Sequence, residues 1–230
     1  MPDTAPHSTL PPRLRRGRAT VAPGFVSGML AGYVRRGHDP APLLSRAGID
    51  LADTASRIPV ERYALLYNLC IEALDDEAFG LLPQPMPPGS FEFLCRAMLG
   101  APTLDKALGR AIRFLRIVLP GFRVELQRDG AQARLLIDDE GRLGPLADDP
   151  ARVFAYEWLL RLLHGVASWF VGRGLALDAV RFPYPRPAHA DDYALVYTEH
   201  SSFDAEHLVA ELQANLLDLP LRRDEAYHFT

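Results

Sequence analysis

The stretch PGFRVELQRDGAQARLLID, Pro120 to Asp138, decides the fold class. Within it Phe122, Val124 and Leu126 alternate with Arg123, Glu125 and Gln127, a period of two. Asp129-Gly130 is a hairpin-turn signal, and Ala133 to Ile137 is a second apolar run. The stretch therefore reads as a β-hairpin. Pro120-Gly121 in front of it closes a helix.

Upstream, the period is helical throughout. Phe25, Met29, Leu30 and Tyr33 recur at helical spacing from Pro23 to Arg36, closed by Gly37. A short helix follows Asp39-Pro40 and ends at Gly48. Pro59 opens a third, with Tyr63, Leu66, Tyr67, Cys70, Ile71 and Leu74 on its apolar face. Asp75 to Leu82 reads as a further helical turn, and the prolines of 83–89 mark a loop. Ser90 to Leu99, and the run after Thr103 to Leu119, read as two more helices.

Downstream, Asp148-Asp149-Pro150 leads into a long apolar helix, Ala151 to about Val171, ended by Gly172 and Gly174. Leu177–Phe182 reads as a strand, Asp191–Tyr197 as a short helix, His207–Gln213 as another strand and Asn215–Leu219 as a final turn. The expectation is an α+β fold: about six or seven helices covering a small, mostly antiparallel sheet of about four strands.

Composition agrees with a folded domain. The chain has 230 residues, 48% of them hydrophobic and 23% charged. Residues 1–19 hold Arg13, Arg15, Arg16 and Arg18 against Asp3, a net +3. The whole chain is −4, so the remainder is −7. The segment 1–19 reads as a disordered basic tail, and 20–224 as one α+β domain. An acidic body argues against nucleic-acid binding by the domain itself. No apolar stretch approaches a membrane span, so a cytoplasmic protein without a membrane partner is expected. Cys70 and Cys95 sit in apolar helical runs and read as two buried free thiols.

Catalytic signatures are scarce. There is no phosphate loop, no Gly-x-Ser-x-Gly elbow and no His-Glu-x-x-His. The expectation is no enzyme activity, no cofactor and no metal. Glu199-His200 with Glu206-His207 is the nearest approach to a metal cluster, and Ser201-Ser202-Phe203-Asp204 between them reads as loop or strand. Lys106, Arg110 and Arg113 form a basic stripe that suits an anion, an acidic partner or water. On the long helix Glu157, Arg161, His164 and Ser168 fall at i, i+4, i+7 and i+11. A thin polar stripe on an apolar helix is either its solvent edge or the lining of a pocket. In the second reading Arg161 and His164 are polar anchors, Trp158 is near the wall, and Glu157 pairs with Arg161. The candidate ligand-binding set is Arg161, His164, Trp158, Ser168 and Tyr67.

The order of motifs resembles the N-terminal ligand-sensing, arabinose-binding-type domain of AraC/XylS-family bacterial transcription regulators. The matching pieces are Ala47-Gly48-Ile49-Asp50, Arg57-Ile58-Pro59, Asp76, Phe79-Gly80-Leu81, Pro102-Thr103-Leu104, Ala107-Leu108, Val180-Arg181-Phe182, Pro185, Phe203-Asp204-Ala205 and Leu216 to Leu221. The resemblance spans about residues 23–224. It implies an effector-sensing domain that binds a small molecule and controls DNA binding by a C-terminal helix-turn-helix domain. Residues 225–230 would begin the linker to that domain, absent from this chain, and DNA would be a partner only through it. The resemblance also implies a homodimer. The strand count is too low for the many-stranded barrel of the sugar-binding relatives, so arabinose itself is not carried over. A ligand-free dimerisation module and an enzyme of unrecognised type are the alternatives.

Overall fold

The computed structural model describes residues 19–52 and 56–223. The basic tail read at 1–19, but for Ala19, and the linker read at 225–230 lie outside the described residues.

The first half is helical. A two-residue strand β1 (Thr20–Val21) precedes α1 (Pro23–Arg35) and α2 (Ala41–Ala47). A second short strand, β2 (Ile58–Pro59), pairs antiparallel with β1 and leads into α3 (Val60–Leu74). Then come α4 (Ser90–Met98) and α5 (Leu104–Val118). The Thr103 hydroxyl accepts from the Lys106 amide and caps α5, and Gly48 ends α2 in the left-handed region at φ 67°.

The second half carries the main sheet. β3 (Arg123–Asp129) and β4 (Gln132–Asp138) form the hairpin, in register from Arg123 opposite Asp138 to Asp129 opposite Gln132. The 22-residue α6 (Pro150–Val171) follows, with the Asp149 carboxylate accepting from the Ala151 amide at its start. β5 (Ala179–Arg181), a 3-10 turn at Ala190–Asp192, α7 (Tyr193–Val196), β6 (Ser201–Ser202), β7 (Leu208–Gln213) and a last 3-10 turn at Ala214–Asp218 complete the chain. The five strands run in the order β3-β4-β7-β5-β6, antiparallel except for β5 against β6.

The fold is α+β with seven α-helices among the described residues, and its main sheet is mostly antiparallel. It has more strands than the four read from sequence. The additions, β1, β2 and β6, are two residues each, too short to carry a period. The helical turn read at Asp75–Leu82 is instead a tight non-helical turn. The fully buried Asp76 carboxylate causes it, gathering the amides of Ala78 (2.8 Å), Gly80 (2.9 Å) and Met86 (2.7 Å).

α6 is the centre of the molecule. Leu160, Leu163 and Ala167 pack toward the sheet, while α1 crosses another face. Gly24, Gly28 and Gly32 fall at i, i+4 and i+8 on α1 and let three different neighbours approach it closely: His189 at Gly24, Phe154 of α6 at Gly28 and the Phe79-Gly80 backbone at Gly32. A Cβ on Gly28 would lie 2.8 Å from the Phe154 Cβ, and one on Gly32 would lie 2.3 Å from the Phe79 carbonyl oxygen. Among the described residues, no helix is long and apolar enough to cross a membrane.

Candidate functional site

The polar stripe of α6 meets three different surroundings. Glu157 is fully buried. Its Oε1 accepts from His189 Nε2 and from the Tyr193 hydroxyl, both at 2.5 Å. Tyr197 donates to the Glu157 carbonyl at 2.8 Å, and the Tyr184 and Tyr193 hydroxyls lie 3.0 Å apart. Burial, reinforced by the Glu157 charge, pushes Tyr193 far above its ordinary range. The ion pair expected between Glu157 and Arg161 is not formed, because the segment after β5 supplies Glu157 with its partners from outside the helix.

Arg161, one turn on, faces the helical half. Its guanidinium lies over the Phe25 ring at 5.2 Å and the Tyr63 ring at 5.6 Å, and Nη2 donates to the Tyr63 hydroxyl at 3.3 Å. Burial works against its charge, but Tyr63, Tyr197 and Glu157 outweigh it and hold the guanidinium above its ordinary value. Burial likewise pushes the Tyr63 phenol up to about 12, with Arg161 opposing.

Beside Arg161 opens a cleft of about 580 Å³. One wall is α6, with Trp158, Arg161, Leu162, Gly165 and Val166. The other is α3, with Tyr67, Asn68 and Ile71, and Glu77, Met86 and Phe91 complete the lining. Trp158 Nε1 donates to the Tyr67 hydroxyl at 3.1 Å, which ties the two walls together. Phe79 stands edge-on to Tyr67 at 4.6 Å and to Trp158 at 6.0 Å. Glu77 is held by the amides of Gly89 (2.6 Å) and Phe91 (2.7 Å). At Gly165 a Cβ would meet nothing within 4 Å, so any side chain there would project into open space at the cleft.

Tyr67, Trp158 and Arg161 of the sequence-read set therefore come together. His164 and Ser168 do not join them. His164 Nε2 donates to the Leu175 carbonyl at 2.7 Å, and the Ser168 hydroxyl accepts from the Leu175 amide at 3.2 Å. Both clamp the turn that follows α6, and His164 borders a separate, small apolar space under the sheet. Sequence reasoning did not place Asn68, Ile71, Glu77, Met86, Phe91, Leu162, Gly165 and Val166 at the cleft. Only Gly165 carries a local signal, a glycine in mid-helix, where it costs stability.

Other candidates resolve as follows. Glu199-His200 and Glu206-His207 are split by β6 rather than stacked on a helix. No group of three or more His, Cys, Asp or Glu among the described residues could hold a metal ion. The stripe on α5 borders an open groove against β3, where Arg110 donates to the Leu99 carbonyl at 2.9 Å and Lys106 lies 3.8 Å from Asp105. Arg57 forks onto Asp192 with two bonds of 2.9 Å, and the same carboxylate accepts from the Ala22 amide. That cluster ties β1 and β2 to the segment carrying His189.

Residues 37–221 match the family described as the arabinose-binding domain of AraC transcription regulator, N-terminal. The chain is also similar to the ornithine utilization regulator of Pseudomonas aeruginosa, at 31% identity over 147 residues. That match covers 64% of this chain and 42% of the relative. The chain thus spans less than half the length of that protein.

Proposed function

The chain belongs to the family of arabinose-binding domains of AraC transcription regulators, and on that premise we propose that it is an effector-sensing regulatory domain. In this reading a small molecule binds between α3 and α6 and controls DNA binding by a helix-turn-helix domain outside this chain. The chain itself is a cytoplasmic homodimer that neither contacts DNA specifically nor turns over a substrate. The observation that carries the proposal is the cleft of about 580 Å³. Its volume falls in the range of small-molecule sites, and its walls are mostly apolar with few polar groups.

The relative named for ornithine utilization makes amino acids and amines the first compounds to try. The experiment is a thermal-shift screen of the chain against metabolites that include ornithine. A ligand that binds only the folded state raises the melting temperature with concentration. Stabilisation by at least one compound, abolished by Gly165→Phe, is the expected result. A screen without a stabilising compound, or stabilisation indifferent to Gly165→Phe, overturns the assignment. A monomeric mass by light scattering at tens of micromolar overturns the homodimer.

A further inference from the structure

We infer that the occupant of the α3/α6 cleft is a small monocarboxylate with an apolar body, held through its carboxylate by Arg161. The inference rests on the sensor reading above and names the chemistry of its ligand.

The first ground is the state of Arg161. A guanidinium has five N–H donors in a fixed fork. The described protein groups take one hydrogen bond from it, at the Tyr63 hydroxyl. Among the described residues, no carboxylate oxygen comes within 4.0 Å to pair with it. The acid four residues before it, Glu157, is turned to His189 and Tyr193. The Arg161 Cζ lies over the Phe25 ring at 5.2 Å and the Tyr63 ring at 5.6 Å, and beyond the Tyr63 hydroxyl no group among the described residues accepts from its donors. A half-buried cation already bonded to Tyr63 and set over two rings loses little rotamer freedom when it forks onto a carboxylate.

The second ground is the wall chemistry. Ile71, Met86, Trp158, Leu162 and Val166 offer an apolar surface. Gly165 leaves room beside it, where any larger residue would intrude. Glu77 is the third ground. Its carboxylate is fixed in the lining by two amides, so the cleft carries one cation and one anion. A second carboxylate on the ligand would meet repulsion there, whereas an amino group would not. Plain carboxylic acids and amino acids share the chemistry that Arg161 recognises, and the experiment separates them.

The test uses the 230-residue chain and matched probes of one carbon skeleton: hexanoate, hexanamide, hexylamine and norleucine, with phenylacetate, phenylacetamide and phenethylamine as a second set. Binding is read by isothermal titration and by the shift in melting temperature. Hexanoate, phenylacetate or norleucine should bind, and the amides and amines should not. Tighter binding of norleucine than of hexanoate assigns the amino group to Glu77, and the reverse assigns a plain acid. Arg161→Met should weaken the bound carboxylate about tenfold to a hundredfold, the loss of a charge-assisted hydrogen bond. Arg161→Lys, which keeps the charge but not the fork, should recover part of it. Gly165→Phe should abolish binding while leaving Arg161 in place. Binding of an amine or an amide in preference to the acid overturns the carboxylate assignment but leaves the sensor reading standing. Carboxylate affinity unchanged in Arg161→Met overturns Arg161 as the anchor. If none of these probes binds at millimolar concentration, the inference falls. The sensor reading falls with it only if the wider metabolite screen is also empty.

Discussion

Replacing Glu157 by leucine tests whether the centre of the fold is held by a carboxylate. The side chain is fully buried in the middle of α6, and its Oε1 accepts two hydrogen bonds. Leucine occupies a similar volume and leaves both donors without that acceptor. Tyr193 is 1% exposed, and its hydroxyl keeps only the hydrogen bond with the Tyr184 hydroxyl. The His189 side chain is 13% exposed and can reach some water. A hydrogen bond to a charged group is worth about 1.5–3 kcal/mol, and an abandoned buried donor costs about 1–3 kcal/mol. Breaking one side of a buried pair typically costs about 3–5 kcal/mol in all. We expect Glu157→Leu to lie in that range and Glu157→Gln, which keeps an acceptor oxygen, to cost about 1–2 kcal/mol. The assay is urea unfolding followed by tryptophan fluorescence, since Trp158 adjoins the site, with far-ultraviolet circular dichroism as the second probe. With a slope of about 1–3 kcal/mol/M, the Leu variant should shift the midpoint by about 1 M or more. Adding Tyr193→Phe to Glu157→Leu should cost less than the two single losses together, because the orphaned hydroxyl is gone. A Leu variant within about 1 kcal/mol of the wild type, or a Gln variant as damaged as the Leu variant, would refute the reasoning.

Two glycine substitutions should move stability in opposite directions. Gly165→Ala gains about 0.5–1 kcal/mol of helix propensity into open space, whereas Gly32→Ala drives a Cβ to within 2.3 Å of the Phe79 oxygen and should lose about 1–3 kcal/mol; the same urea series measures both, and a shared sign contradicts the packing of α1. Burial pushes the Cys70 and Cys95 thiols up to about 12, so a disulfide exchange reagent at mildly alkaline pH should label the native chain far more slowly than the unfolded one. Labelling at the free-thiol rate would contradict their burial. Burial pushes the Asp139 carboxyl up, but Arg152 at 3.1 Å, its charge, and the Tyr156 hydroxyl outweigh it and leave it below its ordinary 3.8. A lowered carboxylate stabilises the fold above its unfolded value, and that contribution is lost as pH falls through the lower folded value. The stability gap between wild type and Asp139→Asn should therefore be full at neutral pH and close below 3.8; a gap that stays constant into acid would contradict this.

Most of the architecture was legible because its signals are local. Asp129-Gly130 with flanking alternation gives the hairpin, and Asp149-Pro150 and Gly172 bracket α6. The turn at Asp76 was not legible, since its three amide donors are spread to Met86 and only the folded loop gathers them. The spacing of Gly24, Gly28 and Gly32 was a readable sign that α1 is closely packed along one face, which apolar periodicity alone passes over.

The candidate cleft was half legible, for a reason that lies in helix geometry. At about 100° per residue, Glu157, Arg161, His164 and Ser168 share an arc of about 60°, so they form one face. At about 1.5 Å per residue the same four span about 16 Å along the axis. Periodicity groups residues by angle and says nothing of which neighbour stands at each height. Glu157 meets the segment of His189 and Tyr193, Arg161 meets Phe25 and Tyr63, and His164 and Ser168 meet Leu175. The cleft faces the arc of Trp158, Gly165 and Leu162, centred about 100° round from Glu157, with Arg161 at its edge. Arg161 is therefore the member of the polar stripe that both borders the cleft and packs on α1 and α3. The stripe supplied that residue, and only tertiary packing chose it from the four.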